Sequence, residues 1–174
     1  MVEDCLKEVR ADLRTNLAAA FDVEDAEYAA ADVTEFGAGH AIVLRDVDDD
    51  NIRLQRFTNE KIVSVPAILL LPQAVEYIPW MTNVVHVKHT VEVVIVVADT
   101  DPEKVGRRLF RSVEAIRRVL TEFVEGTTGV VEDPVFSVGV IDVNYEHEEA
   151  IIQPFGLVKA AAMTVVLEEV EDRP

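Results

Sequence analysis

The first apolar pattern along the chain has the spacing of a helix. From residue 3 to residue 21, apolar positions recur at three- and four-residue steps with charged residues between them, which predicts an amphipathic helix. Its apolar stripe consists of Leu6, Val9, Leu13, Leu17 and Ala20. The stretch 22–32 is polar and rich in alanine, and we interpret it as a loop or a short additional helical turn.

A second helical pattern begins at Asp101-Pro102-Glu103. An acidic N-cap, a proline at the first helical position and an acid in the first turn are typical of a helix start. Gly126 is a suitable end for this helix. Its apolar stripe consists of Val105, Leu109, Val113, Ile116, Leu120 and Phe123.

Four segments have the composition of strands: 62–71, 84–98, 135–145 and 157–170. Because Pro66 lacks a backbone donor, its strand either lies at a sheet edge or begins its pairing after the proline. The strand 84–98 would span about 50 Å, which leaves room for one end to project as a hairpin arm. Its second half is apolar on both faces, as expected where helices or a second subunit cover the other side.

The connections between these elements are less regular. Segments 40–46 and 51–57 flank an aspartate-rich run and predict a β-hairpin with a solvated turn. Residues 72–83 interrupt the apolar pattern and are interpreted as a loop, and 146–149 as a turn.

The order of elements predicts an α+β fold. Strands adjoin other strands more often than helices, which favours a mainly antiparallel sheet with the N-terminal helix and the second helix packed on one face. The length of 174 residues fits a single domain, 1–174. The hairpin 40–57 and the segment 145–156 are expected to be extensions of that domain.

Charge and composition exclude several classes of protein. The formal charge is −17, which argues against a classical nucleic-acid binder, whereas 49% hydrophobic residues argue against a disordered acidic tail. The chain has one cysteine, so it forms no internal disulfide, and no apolar run long enough for a transmembrane helix. Its acids are accompanied by only five lysines, a balance that suggests a cytoplasm of high salt concentration, since salt screens the repulsion among carboxylates.

No pattern predicts a metal or a cofactor. His86 and His89 lie in one strand at an odd spacing and should point to opposite faces. The run that starts at Asp46 resembles a calcium loop, but Asn51 and Phe57 occupy the places of the glycine and glutamate that an EF-hand requires.

No pattern predicts catalysis either. Ser64, Ser112 and Ser137 lack the surroundings of a nucleophile elbow, and the glycine-containing segments lack the spacing of a phosphate-binding loop. We therefore expect that the protein is not an enzyme.

Five of the eleven arginines lie on the second predicted helix, and they admit two interpretations. They form either a solvated face with weak pairs such as Glu114–Arg118, or a basic patch that meets an acidic surface, with a weak contact to the DNA backbone as a further option. The apolar cluster in the predicted loop 72–83 either packs under the domain's own core or contacts a neighbour. The residues expected at a subunit or partner interface are Arg107, Arg108, Arg111, Arg118, Tyr77, Trp80 and Met81.

The order of the elements resembles that of the tail terminator and tail completion proteins of long-tailed phages and haloarchaeal tailed viruses. The match comprises the amphipathic N-terminal helix, the strand start Val65-Pro66-Ala67, the long valine-rich strand 84–98, the helix 99–123 that follows an acidic turn, and two final strands.

The resemblance implies a structural virion protein made in the host cytoplasm. Such proteins form a ring, here expected to be a homohexamer, that ends the tail tube and joins it to the head-side connector or stopper protein. DNA passes through the lumen of the ring, and an acidic lumen would repel it. The implied partners are further copies of the chain, the tail tube protein and the connector, with no membrane.

Two other functions remain open from the sequence. One is another neck or head–tail joining protein, which would share the structural role. The other is a small halophilic ligand-binding or enzymatic α+β domain, which would need a concave polar pocket.

The acidic composition predicts that the fold is more stable in concentrated salt. At 1 M salt the Debye length falls to about 3 Å and the repulsion among surface carboxylates is screened. The free energy of unfolding, measured by urea denaturation, should therefore rise between 0.1 M and 2 M potassium chloride. An unchanged value across this range would contradict the high-salt interpretation.

Overall fold

A computed structural model of the protein describes residues 2–37, 42–44, 46–54, 64–81, 84–124, 137–152 and 156–172. Its helices are α1 (Val2–Phe36) and α2 (Pro102–Val124), and a short 3-10 turn covers Asp49–Asn51. Its strands are β1 (Ile52–Leu54), β2 (Ala67–Met81), β3 (Val84–Asp99), β4 (Ser137–Ile152) and β5 (Gly156–Asp172).

The five strands form one sheet in the order β1-β2-β3-β5-β4. The short β1 runs parallel to β2, and the other three pairings are antiparallel. The predicted α+β class with a mainly antiparallel sheet is therefore confirmed.

Both helices pack on the same face of the sheet, as predicted. Every second residue of the central strands points to that face, for example Leu70, Val93 and Met163, which are neighbours in the register. The apolar stripes of α1 and α2 cover these side chains and are themselves buried, including Leu13 and Ile116. This single cluster removes most of the apolar side chains of both helices from water.

The opposite face of the sheet is apolar too. Ala67, Leu69, Val96, Val158 and Ala162 are buried on this face. All of these side chains except that of Leu69 are small or β-branched, which suits a flat layer that packs closely. The second half of the long strand is thus apolar on both faces, as its sequence indicates.

Helix α1 is 35 residues long, so the prediction of a loop over 22–32 is wrong. The segment is rich in alanine, which has the highest helix propensity. Its acids do not mark a solvated loop, because Glu24 and Asp32 are buried against α2. The helix ends at Gly37, whose φ of 88° is the left-handed conformation of a C-terminal cap.

The predicted hairpin 40–57 is wrong within its described residues. Ile42 and Leu44 are buried beside α1 without forming a strand. Their backbone amides donate to carboxylates of α1, which replaces the hydrogen bonds of a strand partner. The segment then reaches β1, which pairs with β2, so Ile42, Leu44 and Ile52 join it to the core, whereas Val43 is exposed.

The predicted loop 72–83 is also wrong up to Met81, because β2 continues through it. β2 begins at Ala67, directly after Pro66, so the prediction that pairing starts after the proline is confirmed. Register shifts lie next to Pro72 and Pro79, where bulges accommodate residues that cannot donate to the ladder. β2 and β3 together form a long hairpin, and β5 pairs with β3 along its whole length; we call the distal half of this hairpin, near Val75 and Tyr77, the hairpin arm.

The turn predicted at 146–149 is a part of β4, with a register shift between Glu146 and Ala150. The segment 145–152 therefore pairs along β5 within the sheet and is not an extension. The final strand is close to its predicted bounds, and it begins at Gly156 with a φ of 87°.

Variants of Gly37 and Gly156 distinguish the energetic cost of a left-handed backbone from the cost of a close atomic contact. A Cβ at Gly156 would lie 3.0 Å from the carbonyl oxygen of Asp99, whereas a Cβ at Gly37 would have no atom within 4 Å. Gly37→Ala should cost about 1 kcal/mol of unfolding free energy for its left-handed backbone. Gly156→Ala should cost at least about 1 kcal/mol more, because the contact adds strain. Equal losses in urea denaturation would contradict the close approach.

Candidate functional site

The carboxylate of Asp32 joins α1 to α2. Arg111 holds it with two hydrogen bonds, from Nη1 to Oδ2 at 2.9 Å and from Nη2 to Oδ1 at 2.5 Å. Arg107 Nη1 donates to Oδ1 at 3.1 Å, and the backbone N–H of Ile42 donates to Oδ2 at 3.2 Å. Asp32 is only 2% exposed. The Arg111 guanidinium holds the pKa of Asp32 below its usual range, in spite of burial, so this carboxylate is charged in the folded protein.

Helical spacing places these groups together. Arg107 and Arg111 lie one turn apart on α2, and Tyr28 and Asp32 lie one turn apart on α1. The Arg111 guanidinium lies over the Tyr28 ring, 4.7 Å from its centroid. A bidentate ion pair and a cation–π contact therefore use the same guanidinium.

A second ion pair fixes the helices two turns away. Arg118 Nη2 donates to Glu24 Oε1 at 2.7 Å, and it lies 3.7 Å from Glu27 Oε2. Since Asp32 faces Arg111 and Glu24 faces Arg118, the paired parts of the two helices run in opposite directions. The two ion pairs set the register between α1 and α2.

Two aspartates of α1 also hold the chain that follows the helix. Asp25 accepts the backbone N–H of Leu44 at 2.9 Å, as Asp32 accepts that of Ile42. The two aspartates are seven residues apart and so lie on one side of α1. Burial raises the pKa of Asp25, although the Leu44 amide and Arg111 oppose the shift.

The start of α2 is fixed to the end of β3. Asp99 Oδ2 accepts an ion pair from Arg108 at 2.6 Å, while its Oδ1 accepts the backbone N–H of Thr100 at 2.7 Å. Asp101 caps the helix by accepting the N–H of Glu103 at 3.0 Å, as its position in the sequence predicts.

The expectation that the arginines of α2 form an exposed basic patch is wrong. Arg111 is 7% exposed, and Arg107 and Arg108 are mostly buried. Each binds an acid of this chain, and Arg118 does so as well. The pair predicted between Glu114 and Arg118 is also different, because Glu114 binds Arg117 at 2.8 Å. That Arg107, Arg108, Arg111 and Arg118 lie at a contact with a partner chain stays a prediction.

The predicted aromatic contact residues lie on another part of the fold. Tyr77 is in the distal half of β2 and is 56% exposed, and Val75 on the same strand is exposed too. The backbone of Trp80 and Met81 continues the strand, but their side chains lie outside the described residues.

A cavity of about 350 Å³ opens between α1 and α2 beside the ion pairs. It is lined by Tyr28, Ala31, Asp32, Glu35, Arg107, Phe110, Arg111 and Glu114. Tyr28, Ala31, Asp32 and Glu35 are not among the site residues predicted from the sequence, because they lie on or beside the stretch 22–32 that was interpreted as a loop. The spacing of Asp25, Tyr28 and Asp32, at three and four residues, is the signal that indicates a continuous helical face there.

A charged cluster lies on the hairpin arm. Glu168 of β5 accepts from Lys88 at 2.8 Å and from His86 at 3.2 Å. The hydrogen bond from Lys88 lowers the pKa of Glu168, and the same bond raises the pKa of Lys88. His86 and His89 point to opposite faces, as predicted, and His89 is buried on the side of the helices.

Within the described part of the chain, no group of three or more His, Cys, Asp or Glu side chains is arranged to hold a metal ion. Neither α1 nor α2 carries the apolar run that a bilayer-spanning helix requires. Comparison of the sequence with models of protein families and with curated proteins finds no match in either.

The ion-pair geometry predicts very different effects for two arginines of α2. Arg111→Met leaves the buried Asp32 carboxylate without its main partner and should cost about 3 kcal/mol of unfolding free energy. Arg117→Met removes an exposed pair and should change stability by less than about 0.5 kcal/mol. Adding Asp32→Asn to Arg111→Met should recover part of the loss, because it removes the buried charge. Urea denaturation of the unaltered chain, the two single variants and the double variant tests this. A small effect of Arg111→Met would contradict the buried ion pair.

Proposed function

We propose that this chain is a structural virion protein: a tail terminator that forms a ring, with six copies as the expected number. The ring ends the tail tube and joins it to the head-side connector, and DNA passes through its lumen. The protein is made in the host cytoplasm and functions in the virion of a virus whose host has a salt-rich cytoplasm.

The observation that carries the proposal is the sheet with two apolar faces. Both helices pack on one face, whereas Leu69, Val96 and Ala162 make the centre of the other face apolar as well. Half-buried Val94 and Ala160 extend this surface. A sheet that is apolar on both sides is stable when a second layer covers each side. Leu69, Val96 and Ala162 are already covered within one chain, so neighbouring copies in a ring would cover the half-buried margin of this face, at Val94 and Ala160.

The hairpin arm supports the same role. β2 and β3 extend as paired strands for 15 and 16 residues, and the distal part of β2 presents Val75 and Tyr77 to solvent. Exposed aromatic and β-branched residues on a long arm are typical of contact surfaces between chains. Such an arm can reach a neighbouring copy.

The element order gives further support. The segments Ile52–Leu54 and 145–152 pair within the sheet. Apart from the short β1, the described elements are a helix, a long hairpin, a second helix and a final hairpin. This is the arrangement on which the resemblance to tail terminators rests.

The charge of the chain is compatible with the passage of DNA. All five arginines on α2 are bound to acids of the same chain, so the formal charge of −17 is not offset by a basic surface on that helix. An acidic lumen repels the phosphate backbone and would let DNA slide without adhering.

The proposal predicts a closed ring and names the arm as a part of its interface. In 2 M salt, light scattering after size exclusion should give a mass near six times the 19.3 kDa of one chain, and negative-stain images should show rings with an open centre. The double variant Val75→Asp/Tyr77→Asp should reduce the mass to that of one chain without a change in far-UV circular dichroism. Val23→Asp, at an exposed valine of α1, serves as the control and should still assemble.

Two results would overturn this proposal. The first is a monomer at every protein and salt concentration, including in the presence of tail tubes. The second is full assembly of the arm variant, which would exclude the arm from the interface.

A further inference from the structure

The cavity between α1 and α2 has a chemistry that the proposed ring does not explain. Two aromatic side chains form part of its walls, Tyr28 at 38% exposure and Phe110 at 52%. A large aromatic residue at half exposure beside a concave surface of about 350 Å³ is a common feature of a binding site. We call this surface the aromatic groove.

Among the described residues, the charges around the aromatic groove balance except for one carboxylate. Asp32 is bound by Arg111 and Arg107, and Arg107 also lies 3.5 Å from Glu103. Glu114 is bound by Arg117. Glu35 lines the groove, is exposed, and forms no ion pair with any other described residue. The surplus charge of the groove is therefore negative.

Aromatic walls beside a carboxylate are suited to a guanidinium group. An arginine side chain can lie over an aromatic ring while it donates to a carboxylate. The protein already uses this combination internally, because Arg111 lies over Tyr28 and binds Asp32. An anionic ligand would meet the surplus charge of Glu35, and a purely apolar ligand would gain nothing from that exposed carboxylate.

We propose that the aromatic groove binds an arginine side chain with apolar neighbours, presented by a segment of a different protein. Charge complementarity favours a foreign segment, because a chain of formal charge −17 presents few cations. The five arginines of α2 are bound to acids within the chain. The partner surface is thus basic, the reverse of the acidic surface that the arginine-rich sequence of α2 suggests. This inference rests on the groove alone and holds whether or not the chain forms a ring.

A short peptide tests the chemistry directly. The probe is acetyl-Leu-Arg-Leu-amide, titrated into the ¹⁵N-labelled full chain. Saturable shifts are expected for the amides of Tyr28, Glu35 and Phe110, which line the groove. The same peptide with citrulline in place of arginine has nearly the same shape and no charge, and it should bind about tenfold more weakly.

Variants of the groove locate the binding. Glu35→Gln removes the surplus charge and Phe110→Ala removes an aromatic wall, and each should weaken the arginine peptide about fivefold or more. Asp22→Asn, an exposed acid of α1 that does not line the groove, is the matched control and should leave binding unchanged. Circular dichroism of each variant verifies the fold.

Several outcomes would overturn the proposal. They are the absence of saturable shifts at millimolar peptide, equal binding of the arginine and citrulline peptides, and losses in Asp22→Asn that match those in Glu35→Gln. Groove shifts that depend on protein concentration without peptide would assign the groove to a second copy and so exclude the foreign segment. None of these outcomes depends on ring formation, which the arm variant tests separately.

Discussion

The buried carboxylate of Asp32 is the constraint on which the arrangement of the helices depends. Removing a charge from water is costly unless several donors replace the solvent, and here Arg111, Arg107 and the Ile42 amide do so. This requirement keeps the second half of α1 helical, positions α2 against it and holds the returning chain beside both. Without it, the alanine-rich segment 22–32 has little apolar surface with which to bind to the rest of the protein.

The ion pairs also change the character of α2. In the sequence this helix is the most basic part of an acidic chain, and a basic helix suggests an acidic partner. In the fold, Arg107, Arg108 and Arg111 are bound to acids of α1 and β3, so their charges are neutralised within the molecule. The groove between the helices exposes two aromatic rings and the carboxylate of Glu35. Tertiary structure thus reverses the charge of the partner that the sequence alone suggests.

The sheet and the groove provide two separate surfaces. The half-buried Val94 and Ala160 on the face opposite the helices, and the exposed Val75 and Tyr77 on the hairpin arm, suit contacts between copies. The groove lies between the helices and is concave, with one surplus charge among the described residues. The proposed ring component would contact both its own copies and other proteins, and two chemically different surfaces would allow both contacts at once.

The sequence by itself determined the elements whose pattern is local. The helical stripe from Leu6 to Ala20, the N-cap at Asp101 and the long strand from Val84 onward were all predictable, because periodicity and capping depend on residues within a few turns. It could not show whether a charged residue is solvated or buried. The arginine partners of Asp32 and Glu24 lie 75 to 94 residues away along the chain, so only the packing of α2 on α1 distinguished a buried ion pair from a loop acid. The predictions around Leu44 and Tyr77 are wrong for a related reason: the backbone of these segments bonds to Asp25 of α1 and to β3, and packing and strand pairing choose those partners, not the local sequence pattern.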